Sequence, residues 1–189
     1  MNVLISGGCK NGKTSFAEDI AVKLSDLSGG RRFYVATMIP YDDEDRARVS
    51  RHIEERAGMG FETLEIGRNI ASALDAGPDA VYLVDSVTAL LLNEMFSDPE
   101  SAEADPDAVN RCREGLLRLA AGAKHAIFVT DYIYSDAERY DSFTETYRKN
   151  LASLDRALAS VCDIVIELCA GIPVFHKGSA ADLTPGRES

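Results

Sequence analysis

Three features of the sequence predict an α/β fold whose central sheet is mostly parallel and covered by helices on both faces. Short apolar runs recur along the chain: "NVLIS", "RFYVAT", "AVYLVDS", "AIFVTD" and "CDIVIEL". They are continuous rather than alternating, as strands buried on both faces should be. Segments with helical spacing separate them, and strand–helix alternation of this kind builds parallel sheets.

Taken in order, "NVLIS" is the first strand, and "KTSFAEDIAVKLSDL" follows with Phe16, Ile20, Val22, Leu24 and Leu27 at roughly helical spacing. Further helices are predicted at residues 43–57, 87–96, 107–121 and 138–160. "FETLEI" adds a further short strand. The acidic, proline-containing Ser97–Asp107 is a surface loop. "CDIVIELCAGIPVFHKG" reads as two strands around Gly171-Ile172-Pro173, so an antiparallel hairpin closes the sheet. Residues 1–178 are expected to form a single domain, with 179–189 as a frayed tail.

Composition bounds the function. A chain of 189 residues with 46% hydrophobic and 27% charged residues is that of an ordinary globular protein. A net charge of −11 argues against nucleic acid or an anionic membrane surface as partner, since both are polyanions. No signal pattern or transmembrane-length run is found. Cys9, Cys112, Cys162 and Cys169 form no CxxC pair and fit reduced, mostly buried thiols of a cytoplasmic protein.

The strongest motif lies between the first strand and first helix. "GGCKNGKT", Gly7 to Thr14, matches the phosphate-binding P-loop in the strand–loop–helix context that the loop requires. Gly7, Gly8 and Gly12 let backbone N–H groups turn inward around an anion. Cys9, Lys10 and Asn11 complete the loop, with Cys9 read as a small filler rather than a nucleophile. The helix opening at Lys13 aims its unpaired N–H groups at the same point. Lys13 is the expected partner of the β- and γ-phosphates, and the Thr14 hydroxyl the expected Mg²⁺ ligand. The fold is therefore P-loop NTPase-like.

A P-loop enzyme also needs an acid at a neighbouring strand end. Asp85 closes "AVYLVD", where ligands gather in open parallel sheets, although an Asp there also suits the N-cap of the next helix. Asp131, closing "FVTD", is its rival. Arg48, His52 and Arg56 recur every four residues and line one face of a helix. Two arginines favour the neutral, nucleophilic imidazole, which can attack phosphorus. An exposed, salt-bridged helix with an incidental histidine has the same pattern.

Together, the N-terminal P-loop, "YVAT", Asp43, Glu44, Arg48, His52, Arg56 and Glu65 resemble the adenosylcobinamide kinase/adenosylcobinamide-phosphate guanylyltransferase family of cobalamin biosynthesis. "YLVDSVTALLLNEMF" resembles that family's strand–acid segment and following helix. The resemblance implies that His52 carries GMP as a phosphoramidate. It also implies nucleotide contacts from the P-loop, from Val35, Ala36 and Thr37, from Arg48 and Arg56, and from Glu65 and Asp85. The implied substrates are GTP (or ATP) with Mg²⁺ and a small-molecule corrinoid, and the implied assembly is a homo-oligomer. Departures fall in the C-terminal half. Asp131, Tyr132, Ile133 and Tyr134 stand where the family shows Asn-Glu-x-Gly, and Asp155 and Arg156 where it shows Asn-Gln. A guanine reader such as NKxD is absent, so GTP preference follows from the resemblance alone. Two other readings are a small P-loop kinase for a different acceptor, with His52 a phosphate contact, and a nucleotide-binding regulatory protein that no longer catalyses.

Overall fold

The computed structural model describes residues 1–40, 42–97, 104–134 and 137–183; the side chains of residues 48, 49, 51, 52 and 55 lie outside the description. Strands β1 (Asn2–Gly7), β2 (Arg31–Ala36), β3 (Phe61–Glu65), β4 (Ala80–Asp85), β5 (His125–Asp131), β6 (Ile164–Cys169) and β7 (Ile172–Lys177) form one sheet. Its order is β3-β2-β4-β5-β1-β6-β7. Every pairing is parallel except β6 with β7, the C-terminal hairpin. Helices α1 (Lys13–Ser28), α2 (Asp43–Glu55), α3 (Val87–Met95), α4 (Ala108–Gly122) and α5 (Ser142–Val161) connect the strands. The predicted fold class, including the short strand β3, is the observed one.

The strands read as continuous apolar runs because the two faces of the sheet have separate cores. Val3 and Ile5 pack with Ala17, Ile20, Ala21 and Leu24 of α1, whereas Leu4 packs in the cluster that α3, α4 and α5 complete. Successive side chains point to opposite faces, so both parities must be apolar.

Boundary differences have local causes. The last long helix starts at Ser142, not near 138, because the Asp141 carboxylate accepts from the N–H groups of Phe143 and Thr144 and caps it there. Residues Ile70–Ala76 form a 3₁₀ helix that the sequence did not reveal. Ala180–Leu183, read in the sequence as the start of a tail, forms a 3₁₀ turn that carries Leu183 into the α1-side core. Cys112 and Cys162 are buried, with burial pushing both thiols up to about 12, but Cys9 and Cys169 are exposed. The expectation of mostly buried thiols thus holds for two of them. No described helix is long and apolar enough to cross a membrane.

Candidate functional site

β1 ends at Gly7 and α1 begins at Lys13, so the loop between them sits at the carboxyl edge of the sheet. A Cβ on Gly7 would lie 2.5 Å from Asn11 Nδ2 and 2.6 Å from the Leu168 carbonyl oxygen, so only glycine fits. Gly12 caps the helix in the left-handed region at φ 88°, which also favours glycine. Asn11 Nδ2 donates to the Leu168 carbonyl and ties the loop to β6. Gly8, Cys9 and Lys10 form the outer curve, with Cys9 and Lys10 exposed.

Lys13 is buried, and its ammonium is held on two sides. It donates to the Gly8 carbonyl at 2.6 Å and pairs with Asp131 Oδ1 at 2.7 Å. The sheet order explains this partner. β5 lies directly beside β1, in a register that sets Asp131 opposite Gly7. Asp131, the rival acid at a strand end, therefore meets the lysine of the loop.

Asp85 meets the threonine. Its Oδ2 accepts from Thr14 Oγ1 at 2.8 Å and from the Tyr34 hydroxyl at 2.8 Å. Helix α3 is capped by the Ser86 side chain, which accepts from the Ala89 N–H, so the capping role considered for Asp85 belongs to its neighbour. Burial first, and then the adjacent Asp85, push the Tyr34 phenol well above its ordinary value, so it stays a donor. The guanidinium of Arg56, also buried, stacks 3.6 Å from the Tyr34 ring centroid and donates to Thr63 Oγ1 at 3.2 Å. A continuous chain, Thr14–Asp85–Tyr34–Arg56, thus runs from the P-loop to the C-cap of α2.

The remaining predicted residues fall around this chain. Register sets Ala36 level with Glu65 on one side and Asp85 on the other. Val35 is wholly buried in the core, so its side chain supports β2 rather than facing the loop. Thr37 is also wholly buried; its hydroxyl donates to the Ser86 carbonyl at 2.8 Å and accepts from the Ser86 N–H at 2.6 Å. Arg48 and His52 are carried by α2, and their side chains lie outside the described residues. Tyr34 was not among the candidates read from the sequence. Its only signal there was strand parity: two positions before Ala36, it shares a face with it.

The Thr14 hydroxyl and the Asp85 carboxylate are hard oxygen donors side by side, which suits Mg²⁺ shared with phosphate oxygens and water.

The model of the family described as cobinamide kinase / cobinamide phosphate guanyltransferase matches residues 3–175. The chain belongs to that family. No curated protein matches it. Among solved structures it is similar to the flagellar accessory protein FlaH of Methanocaldococcus jannaschii, with 14% identity, 95% of this chain and 79% of that one covered, and a TM-score of 0.49. A KaiC-like protein of Pyrococcus horikoshii OT3 gives 18% identity, coverage of 95% and 79%, and a TM-score of 0.49. The ATPase domain of G40P gives 14% identity, coverage of 88% and 68%, and a TM-score of 0.48.

In this member of the cobinamide kinase family, the β5–α5 side of the loop is built from the departures noted above. Asp155 of α5 is buried, and its Oδ2 accepts from the Tyr134 hydroxyl at 2.8 Å and from Thr130 Oγ1 at 3.3 Å. Among the described residues its Oδ1 has no hydrogen-bond partner. Burial outweighs the two donors and pushes the carboxyl up to about 6. Asp131 is anchored from behind, its N–H donating to Thr88 Oγ1 at 2.9 Å.

Proposed function

We propose that this member of the family phosphorylates the aminopropanol hydroxyl of adenosylcobinamide with a nucleoside triphosphate, then transfers GMP onto that phosphate through His52. The observation that carries this reading is the Thr14–Asp85–Tyr34–Arg56 chain, because it couples the triphosphate loop to the helix that bears His52 one turn before Arg56.

In the kinase step the hydroxyl oxygen attacks the γ-phosphorus, its proton passes to water, the bond to the bridging oxygen breaks, and nucleoside diphosphate leaves. Lys13 then exchanges its contact with Asp131 for the phosphate oxygens and neutralises the charge that develops there. In the second step a neutral His52 ring nitrogen attacks the α-phosphorus of GTP and pyrophosphate leaves. An oxygen of cobinamide phosphate next displaces the imidazole, giving adenosylcobinamide-GDP. Arg48 and Arg56 are assigned to charge stabilisation at the transferring phosphorus. Mg²⁺ held by Thr14 and Asp85 would supply further neutralisation of the phosphate oxygens.

The test is GTP labelled at the α- or the γ-phosphate. The α-label is expected to remain on the protein, stable in alkali and lost in acid as a phosphoramidate is, with pyrophosphate released. His52→Asn should abolish the label and keep GTP binding. Label that survives in His52→Asn overturns the covalent role, and label from the γ-position alone points to an ordinary kinase cycle.

A further inference from the structure

We propose that the groove lined by Ser6, Tyr132, Tyr134 and Glu167 is the acceptor subsite, and that it holds the hydroxyl-bearing amide arm of the corrinoid. This inference rests on the reading of the chain as a cobinamide kinase.

Position is the first argument. Ser6 lies in register with Thr130 of β5 and Glu167 of β6. Sharing the parity of Leu4, it faces the α3–α5 side of the sheet. One residue further along, the same three strands supply the groups that hold the P-loop: Gly7, Asp131 against Lys13, and Leu168 against Asn11. The groove therefore begins within about 4 Å, one residue step, of the loop. It opens on the flank away from β4 and β2, whose strand ends carry the Asp85–Tyr34–Arg56 chain. A ligand there approaches the held phosphate from the side opposite the helix assigned to guanylyl transfer.

Chemistry is the second. Glu167 Oε2 lies 2.9 Å from His176 Nε2, and the Tyr132 hydroxyl also hydrogen-bonds to this carboxylate. These two contacts hold Glu167 below its ordinary carboxylate range, so it is anionic. A carboxylate has about four acceptor positions, which leaves capacity for an amide N–H. A fixed negative charge disfavours phosphate and favours an uncharged donor. The corrinoid arm has this character: a secondary amide N–H for Glu167, a hydroxyl within reach of the Ser6 and tyrosine hydroxyls, and a methyl group for the tyrosine rings. Tyr134 is itself fixed from behind by Asp155.

Size is the third. The groove measures about 370 Å³. That lies at the low end of ligand pockets, about 300–1,000 Å³. It admits an arm and leaves the macrocycle at its mouth.

The test compares cobinamide with the corrinoid acid that carries a free carboxylate in place of the aminopropanol amide, and so has no N–H donor for Glu167, using visible-absorbance titration, with GTP binding measured separately as the control for folding. The intact protein should prefer cobinamide by about tenfold, the scale of a lost hydrogen bond to a charged group. Tyr132→Ala and the near-isosteric Glu167→Gln should erase that preference and raise the KM for cobinamide, while GTP affinity stays within about twofold of the intact protein's. Unchanged preference in both variants, or no preference in the intact protein, overturns the subsite. An intact protein that binds GTP and no corrinoid overturns the cobinamide reading itself, and the subsite with it.

Discussion

The two flanks of the P-loop are built on different principles. On the β4–β2 flank, one carboxylate, Asp85, collects two hydroxyl donors, and a buried arginine stacks on the second of them. On the β5–α5 flank, Asp131 spends its charge on Lys13, while behind it Asp155 is buried with one oxygen unpartnered among the described residues. The first arrangement satisfies its carboxylate and extends outward to another helix. The second sets an ion pair in front of an acid that burial drives toward its neutral form. The flank that keeps the family's pattern is the one wired to α2, and the flank that departs from it faces the groove assigned to the acceptor.

The comparison breaks most visibly at Lys13, the loop residue that Asp131 holds on the second flank. Lys13→Ala should reduce transfer by about 10³-fold and weaken triphosphate binding, because the phosphate loses a buried charge partner and Asp131 is left unpaired. Steady-state kinetics with near-normal turnover would remove the loop from catalysis.

Next, the two acids should separate. Asp85→Asn is expected to lower kcat by about 10²-fold and to raise the Mg²⁺ concentration needed for half-maximal rate, since its oxygen lies beside Thr14. Asp131→Asn should leave the Mg²⁺ requirement unchanged, because its partner is Lys13. A Mg²⁺ titration in which the two variants exchange places would reverse the assignment of the flanks.

Asp155 sharpens the contrast through stability. Unfolded, its carboxyl titrates near 3.8; folded, near 6. Between those values the folded chain binds a proton that the unfolded chain does not, so stability falls as pH rises through this window. The full cost stands above about pH 6. Asp155→Asn removes the titrating group and should be more stable than the unaltered protein by about 3 kcal/mol at pH 8. The advantage should shrink below pH 6 and disappear by pH 4. Thermal melts across that range that show no pH-dependent difference would contradict it.

The smallest effect is expected at Tyr34. Tyr34→Phe removes one of the two described donors to Asp85 and keeps the ring under Arg56, so it should cost about 1–2 kcal/mol in denaturant unfolding. Loss of α-label without loss of stability would show that the hydroxyl, rather than the stack, links the loop to α2.

Much of the first flank was legible in the sequence because its information is local. The glycine spacing, Lys13 and Thr14 lie within one strand–loop–helix unit, and Asp85 closes an apolar run. Strand ends gather at one edge of any parallel sheet, so Asp85 could be placed there before its neighbours were known. Tyr34 was missed because an aromatic in a buried strand looks like core until its hydroxyl is seen to meet a carboxylate.

By itself, then, the sequence determined the alternation of strand and helix, the P-loop and the acid at the end of β4, since each depends on period, spacing and punctuation within a short window. Only the tertiary structure decided the strand order, and with it the partners of the charges. Inserting β5 between β1 and β4 gives Asp131 to Lys13 and leaves Asp85 to Thr14 and Tyr34. Packing also sends Arg56 inward onto Tyr34, and the β1–β6 pairing brings Glu167 beside Ser6, 161 positions apart in the chain. Which charges meet across a sheet depends on strand order and register, and those are fixed by the packing of the whole core rather than by any one segment.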